Sequence, residues 1–158
     1  MPPRIPPPGF LAISLVLMFA LHEAAPLAHW IDAAWRPLAL GLALAAVAIN
    51  LTAFLQFRRA STTINPIRPD RASRLVTSGI FGISRNPMYV GMALLLLAWA
   101  IALGSASPWF VPPLFVALIH TVQILPEERA LAGKFGEDYL AYRRAVPRWL
   151  GVPAGRRA

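Results

Sequence analysis

Four long apolar stretches, separated by shorter polar ones, dominate the pattern of hydrophobic and polar positions along the chain. They cover about residues 10–27, 38–57, 87–104 and 109–125. A helix needs roughly 17 to 25 apolar residues to cross a bilayer, and each stretch comes close to that length. The pattern therefore predicts an all-α integral membrane protein with about four transmembrane helices, forming a single membrane domain over residues 1–158.

The first stretch has an alternative interpretation as a secretory signal peptide, because Arg4 precedes it and small residues follow it. The stretch is, however, long for the apolar part of a signal peptide. A second apolar stretch also begins about ten residues after it. Both features favour a pair of membrane helices over a cleaved leader.

Composition supports a membrane protein, since 57% of the residues are hydrophobic and only 14% are charged, against roughly 25% charged residues in soluble proteins. The chain has no cysteine, which excludes disulfides, thiolate metal ligands and a cysteine nucleophile. Its net charge is +8. In a membrane protein such an excess is first a topology signal and a source of contacts with membrane lipids, so no nucleic-acid partner is expected.

The basic residues lie almost entirely on one side of the predicted helices. Arg4 precedes the first helix, six arginines lie between the second and the third, seven basic residues follow the fourth, and only Arg36 falls on the other side. The positive-inside rule then makes both termini and the loop 58–86 cytoplasmic. The high proportion of arginine over lysine and the absence of a transit-like leader favour a bacterial inner membrane.

After Pro126 the pattern changes, because apolar residues recur at helical spacing among charged ones. Residues 126–150 are therefore predicted to form an amphipathic cytoplasmic helical segment, interrupted at Gly136. Within it, Glu128 shares one face with Leu131 and Phe135, so its carboxylate is expected to face the protein rather than water.

Candidate chemistry begins with Arg85 and Asn86, which come directly before a predicted membrane helix that starts at Pro87. A helix N-terminus offers unpaired N–H groups, and an arginine adds a planar fork of donors, so this position suits an anion. An arginine that contacts lipid phosphate is the alternative interpretation, and Asn86 alone has the pattern of a helix N-cap.

A second polar pair, Glu127 and Glu128, follows the next apolar stretch. Acidic residues in the first turn of a helix also stabilise the helix dipole, which is an alternative role for them. Both polar pairs fall at the same predicted membrane face. Charged side chains beside hydrocarbon are energetically costly and usually bind a ligand or take part in a reaction. The sequence therefore predicts a catalytic site at this face.

Other polar residues inside the apolar helices are expected to form hydrogen bonds between helices: His120, Gln123, Asn50, Thr52 and Gln56. The three histidines of the chain have no metal-ligand spacing, so no metal is expected. No glycine-rich phosphate loop or serine nucleophile motif is present.

Several sequence blocks, taken together, resemble the isoprenylcysteine carboxyl methyltransferase family, which is related to the membrane phospholipid N-methyltransferases. The blocks are Leu75-Val76-Thr77-Ser78-Gly79, Arg85-Asn86-Pro87-Met88-Tyr89-Val90-Gly91, Glu127-Glu128 with Leu131, and Phe135-Gly136-Glu137-Asp138-Tyr139-Leu140 with Tyr142 and Val146-Pro147. They extend from about Leu75 to Leu150 and are separated by the two expected apolar helices.

The resemblance implies a small membrane enzyme that binds S-adenosylmethionine at the cytoplasmic side, releases S-adenosylhomocysteine and methylates a lipid-like or prenylated acceptor. It assigns the essential arginine to Arg85 and the essential glutamate to Glu127 or Glu128. The cofactor pocket would be shaped by Asn86, Pro87, Tyr89 and Gly91 and covered by Phe135, Gly136, Tyr139 and Tyr142. The departure is Asn86, where the family commonly has histidine, so a hydrogen bond rather than an ionisable imidazole is expected there.

The nature of the methyl acceptor decides what the site has to do. A carboxylate is already ionised and needs only orientation, a task that fits Arg85, whereas an amine must lose a proton to a base such as Glu127 or Glu128. The absence of the histidine slightly favours O-methylation of an isoprenylcysteine-like carboxylate over N-methylation of a phospholipid amine.

Two other functions fit the same pattern. A sterol-type membrane reductase would use NADPH, with Arg68, Arg71 and Arg74 as the candidate site for its 2′-phosphate. A non-catalytic lipid-binding protein would depend on basic residues such as Arg143 and Arg144. The pattern favours no particular oligomeric state.

Overall fold

A computed structural model of the chain describes residues 5–60 and 75–151. Five α-helices lie in these ranges, with three short 3-10 turns and one π-helical turn between them. The α-helices are α1 (Pro7–Ala24), α2 (Arg36–Arg59), α3 (Pro87–Leu103), α4 (Val111–Ile119) and α5 (Leu125–Ala145). The 3-10 turns are Ala33–Trp35, Gly79–Gly82 and Ser107–Phe110, and the π-helical turn is His120–Ile124.

Within the described ranges, three helical segments are long and apolar enough to cross a membrane. They are Pro7–Ala24, Ala33–Arg59 and Ser107–Ala145, and α3 is a shorter apolar helix of 17 residues. Large side chains on α1 and α2, such as Val16 and Leu40, are exposed, which is typical of a surface that contacts lipid. The predicted all-α membrane fold is confirmed.

The last segment, Ser107–Ala145, runs for 39 residues through α4, the π-helical turn and α5. Pro126 lies in the first turn of α5 and cannot donate a backbone hydrogen bond, and its ring would crowd the carbonyl one turn earlier. The wider π-helical turn directly before it accommodates this ring, so the chain continues from the apolar part of the helix into its polar part without a break.

The predicted interruption of α5 at Gly136 is confirmed. Its backbone has φ 52° and ψ −126°, so two helical parts meet at a kink there. A positive φ is readily adopted only by glycine. The kink sets the direction of the last two turns of α5, which carry Tyr139 and Tyr142.

Helix α3 lies at the centre of the molecule, and α2 packs along one side of it. The buried residues of α2 are the alanines at every seventh position, Ala39, Ala46 and Ala53, and small side chains let two helices approach closely. A Cβ atom added to Gly91 of α3 would collide with the amide of Asn50 and lie 3.1 Å from the carbonyl oxygen of Ala46. Glycine is therefore required where these two helices meet.

Helix α1 contacts α3, α4 and the 3-10 turn between them. Met18 of α1 is fully buried in a core that includes Leu96, Phe115 and Ile119. Beyond the C-terminus of α3, the backbone N–H of Trp30 donates to the carbonyl of Gly104 over 3.1 Å. The first turn of α3 and the first turn of α5 lie together at the opposite end, which is where the predicted site residues meet.

Candidate active site

Arg85 contacts three parts of the chain at the N-terminal end of α3, which we call the mouth of α3. Its guanidinium forms an ion pair with Glu128 at 2.8 Å, and it donates hydrogen bonds to the hydroxyl of Tyr139 at 3.2 Å and to the carbonyl of Val146 at 3.0 Å. The side chains of Arg85 and Glu128 are only 7% and 9% exposed. Two predicted site residues that are far apart in sequence thus form a buried ion pair.

Arg148 completes this cluster and was not among the residues predicted from the sequence. It donates from Nε to one oxygen of Glu128 at 2.8 Å and from a terminal nitrogen to the other oxygen at 2.7 Å. These hydrogen bonds with Glu128 raise the pKa of Arg148 above its ordinary value, so its guanidinium stays protonated and positively charged. Both oxygens of Glu128 are therefore engaged by arginine. The Val146-Pro147 pair before Arg148 indicated only that the chain turns after α5, because proline ends a helix, and not where the Arg148 side chain lies.

Residues 146–148, which we call the C-terminal strap, lie across the mouth of α3. The backbone N–H of Arg85 donates to the carbonyl of Pro147 at 3.0 Å, and the side-chain amide of Asn86 donates to the carbonyl of Arg148 at 2.9 Å. The Ser84 hydroxyl also donates to that carbonyl, at 3.4 Å. Asn86 occupies the N-cap position of α3 without a capping hydrogen bond from its side chain, because its amide binds the strap instead.

Glu127 lies beside Glu128 in sequence but has a different partner. The hydroxyl of Tyr89, in the first turn of α3, donates to one oxygen of Glu127 at 2.7 Å. Tyr89 is 6% exposed. Within the part of the chain that the structure describes, no hydrogen bond from a side chain reaches the second oxygen of Glu127. The two glutamates are thus distinct: one is saturated by arginine, and the other keeps an acceptor oxygen.

The aromatic residues of α5 cover the Arg85 cluster from the side of the helix. Tyr139 and Tyr142 are buried in an edge-to-face pair with ring centroids 6.2 Å apart, and Phe135 packs against them. The Tyr142 hydroxyl donates to the carbonyl of Phe81 at 2.7 Å, which attaches α5 to the 3-10 turn before α3. The prediction that Glu128 faces the protein is confirmed by its burial and ion pairs.

Two of the predicted pocket residues shape α3 rather than contact the cluster. Pro87 is the buried first residue of α3, and Gly91 faces Asn50 of α2. Asn50 itself donates to the carbonyl of Ala46 at 2.9 Å. The expected hydrogen bond from Asn50 to another helix is therefore wrong: the close approach of Gly91 turns its amide back onto its own helix.

The remaining polar predictions have mixed outcomes. Gln123 donates to the carbonyl of Ile5 at 3.1 Å, so its partner lies in the segment before α1 and not in another helix as predicted. Among the described residues, no group of three or more potential ligands is arranged to hold a metal ion. The arginines proposed for a 2′-phosphate, Arg68, Arg71 and Arg74, lie outside the described residues.

A sequence profile of phospholipid methyltransferases matches residues 35–138, about two thirds of the chain. The chain belongs to the phospholipid methyltransferase family. The match begins at Trp35 and so includes α2, which the sequence motifs did not cover. It contains Arg85, Glu127 and Glu128 and ends just before Tyr139, so the C-terminal strap lies outside the matched residues.

Three proteins with different printed names are similar to parts of the chain. A protein-S-isoprenylcysteine O-methyltransferase of Schizosaccharomyces pombe is 29% identical over 131 residues, which cover 80% of this chain and 53% of that protein. A Delta(14)-sterol reductase of Methylotuvimicrobium alcaliphilum is 34% identical over 128 residues, which cover 70% of this chain and 30% of the reductase. An uncharacterized protein of Haemophilus influenzae is 41% identical over 63 residues, 40% of this chain and 100% of that protein.

The chain thus spans about half the length of the methyltransferase relative and less than a third of the reductase. No solved structure matches the chain. The resemblance inferred from the sequence blocks is confirmed by the phospholipid methyltransferase profile and by the isoprenylcysteine methyltransferase relative.

Proposed function

We propose that this membrane protein is an S-adenosylmethionine-dependent methyltransferase that acts on a lipid-like or prenylated acceptor. The observation that carries the proposal is the cluster of Arg85, Glu128 and Arg148 at the mouth of α3, next to the pair of Tyr89 and Glu127. Family membership supports the reaction class, and the lipid-exposed helices support an acceptor that reaches the site from the membrane.

The charges of the cluster fit the amino-acid part of the cofactor. Two guanidinium groups share one carboxylate, which leaves an excess positive charge beside a helix N-terminus and suits a carboxylate ligand. The unengaged oxygen of Glu127 suits an ammonium group. S-adenosylmethionine carries both groups, and when bound it supplies an electrophilic methyl on its sulfonium.

The predicted cofactor-binding set, which also includes Asn86, Pro87, Gly91 and the aromatic residues of α5, is retained in the proposal and extended by Arg148. Methyl transfer is an in-line displacement, so the protein has to align donor and acceptor and exclude water. Arg85 contacts Tyr139 and the strap directly, and Tyr142 packs beside Tyr139, which supports their role as a cover.

We assign different tasks to the two glutamates. Glu128 positions Arg85 and Arg148, because it forms an ion pair with Arg85 and accepts a hydrogen bond from Arg148 at each oxygen. If the acceptor is an amine, the second oxygen of Glu127 would take its proton instead of binding the ammonium group of the cofactor. Carboxylate O-methylation is favoured over amine N-methylation because Asn86 stands where the family commonly has histidine, so no ionisable imidazole is present there.

The test is labelled methyl transfer from S-adenosylmethionine into a total lipid extract and, separately, into a farnesylated cysteine analogue. We expect a labelled carboxyl ester, lost in Arg85→Ala and retained in Glu137→Gln, which changes a glutamate whose side chain is 83% exposed. A labelled lipid amine, lost in Glu127→Gln, would support the other branch of the family. No label in either fraction would contradict the proposed reaction.

A second candidate is a sterol-type reductase, and the similarity to the Methylotuvimicrobium reductase supports it. The chain matches less than a third of that protein, so a complete reductase site is not implied by the similarity. Binding of NADPH that S-adenosylhomocysteine does not displace would favour this candidate.

We also propose that both termini and the Arg85 cluster face the cytoplasm of a bacterial inner membrane. The distribution of basic residues supports this orientation. A reporter that is active only in the cytoplasm, fused after Ala158, should be active; activity of a periplasmic reporter at the same position would contradict the orientation.

A further inference from the structure

A groove lies between α1 and α2 on the surface that faces lipid, and α3 forms its floor. Its volume is about 520 Å³. Leu15 of α1 and Leu40 of α2 line its walls, Trp99 and Ala102 of α3 line its floor, and Arg36 also lines it. A volume of this size, an apolar lining and one polar group are typical of a small-molecule site.

The groove is separate from the Arg85 cluster. It involves the first two turns of α2 and the last two turns of α3, whereas the cluster lies before the first turn of α3. At 1.5 Å per residue, Trp99 lies about 18 Å along α3 from Pro87. The groove therefore belongs to the other leaflet of the membrane.

Its length matches part of one lipid chain. The lining residues Arg36 to Ala43 on α2 and Leu95 to Ala102 on α3 each extend over about 10 Å. One leaflet contributes about 15 Å of hydrocarbon. A single acyl chain that enters beside Arg36 would thus remain in the groove for most of its depth in that leaflet.

Arg36 gives the groove a charged mouth. It is exposed, and no described residue forms an ion pair with it. It begins α2, whose N-terminus adds a positive dipole end. The neighbouring Trp30 and Trp35 are 63% and 53% exposed, and exposed tryptophans are typical of the level of the lipid headgroups. Arg36 is therefore at the depth where a lipid phosphate lies.

We propose that this groove binds an anionic phospholipid of the leaflet opposite to the Arg85 cluster, with one acyl chain between α1 and α2 and the phosphate on Arg36. The charge of Arg36 selects the anionic headgroup, and the apolar floor selects the chain. The bound lipid fills the space between two helices that both rest on α3. The site does not depend on the proposed methyl transfer.

The test is native mass spectrometry of the purified chain in detergent, titrated with phosphatidylglycerol or with phosphatidylcholine. Arg36→Gln removes the charge, and Ala43→Phe fills the groove. The matched controls are Arg59→Gln, an exposed arginine at the other end of α2, and Ala45→Phe, an exposed alanine outside the groove. Arg36→Gln changes an exposed side chain, so the test does not depend on whether Ala43→Phe folds.

We expect the wild type and both controls to retain phosphatidylglycerol in preference to phosphatidylcholine, and Arg36→Gln to weaken that binding about fivefold. Ala43→Phe should weaken it at least as much. Equal binding of the two lipids, or equal phosphatidylglycerol binding by Arg36→Gln and the wild type, would overturn the proposal. So would a dimer that Ala43→Phe dissociates, because a second copy would then cover the groove.

Discussion

Replacing Glu128 by alanine should destabilise the protein more than replacing its neighbour Glu127. Glu128 forms an ion pair with Arg85 at 2.8 Å and accepts hydrogen bonds from Arg148 at 2.8 and 2.7 Å. Its removal leaves Arg85, whose side chain is 7% exposed, without a counter-charge. Arg148 is 31% exposed and can turn towards water, so the buried Arg85 determines the size of the effect.

The expected loss follows from the general cost of breaking a buried ion pair, about 3 to 5 kcal/mol. For a chain of this size, 1 kcal/mol corresponds to about 2 to 4 °C in Tm, so Glu128→Ala should lower Tm by about 6 to 20 °C. Glu127→Ala leaves only the neutral hydroxyl of Tyr89 without its partner, at a cost of about 1 to 3 kcal/mol.

The assay is thermal unfolding of the purified variants in one detergent, followed by circular dichroism. A double variant, Arg85→Met with Glu128→Leu, should recover much of the loss, because it removes the buried charge together with its partner. Equal Tm values for Glu128→Ala and Glu127→Ala, or a double variant less stable than Glu128→Ala, would refute the description of Glu128 as the anchor of the cluster.

Two glycine substitutions test the helix packing and the kink. Gly91→Ala should lower Tm by several degrees because its Cβ atom would collide with Asn50. The control is Gly41→Ala, whose Cβ atom would have no neighbour within 4 Å, and it should leave Tm unchanged or raise it. Equal Tm values for the two variants would contradict the close contact of α2 and α3. Gly136→Ala should reduce S-adenosylhomocysteine binding because φ is 52° there, while Gly133→Ala, in open space, should retain it. Isothermal titration gives both affinities, and a Gly136→Ala variant that binds normally would show that the kink is not required.

The closeness of Arg85 to the Glu127-Glu128 pair could be predicted, although the sequence left open which of the two glutamates would be its partner. An apolar stretch of known length fixes which helix ends share a membrane face, and the helical spacing of Glu128, Leu131 and Phe135 fixes which side of α5 is buried. The kink at Gly136 was predictable for a similar reason, since only glycine readily adopts that backbone conformation.

Arg148 could not be predicted because its position depends on a turn of the chain after α5. Once Pro147 ends the helix, the direction of the strap is decided by carbonyl groups that meet Arg85 and Asn86, and no sequence periodicity records such contacts. The hydrogen bond of Asn50 was mispredicted for a related reason, because the close approach of Gly91 is a property of the packed pair of helices.

The central claim is that the Arg85 cluster binds the methyl donor, and cofactor binding by the purified full chain tests it most directly. We predict that isothermal titration in detergent will detect S-adenosylhomocysteine binding to the wild type and to Arg59→Ala. Arg85→Ala should bind at least about tenfold more weakly, the loss expected for a charge-assisted hydrogen bond. Equal affinities for Arg85→Ala and the wild type, or a wild type that binds NADPH and not S-adenosylhomocysteine, would contradict the claim.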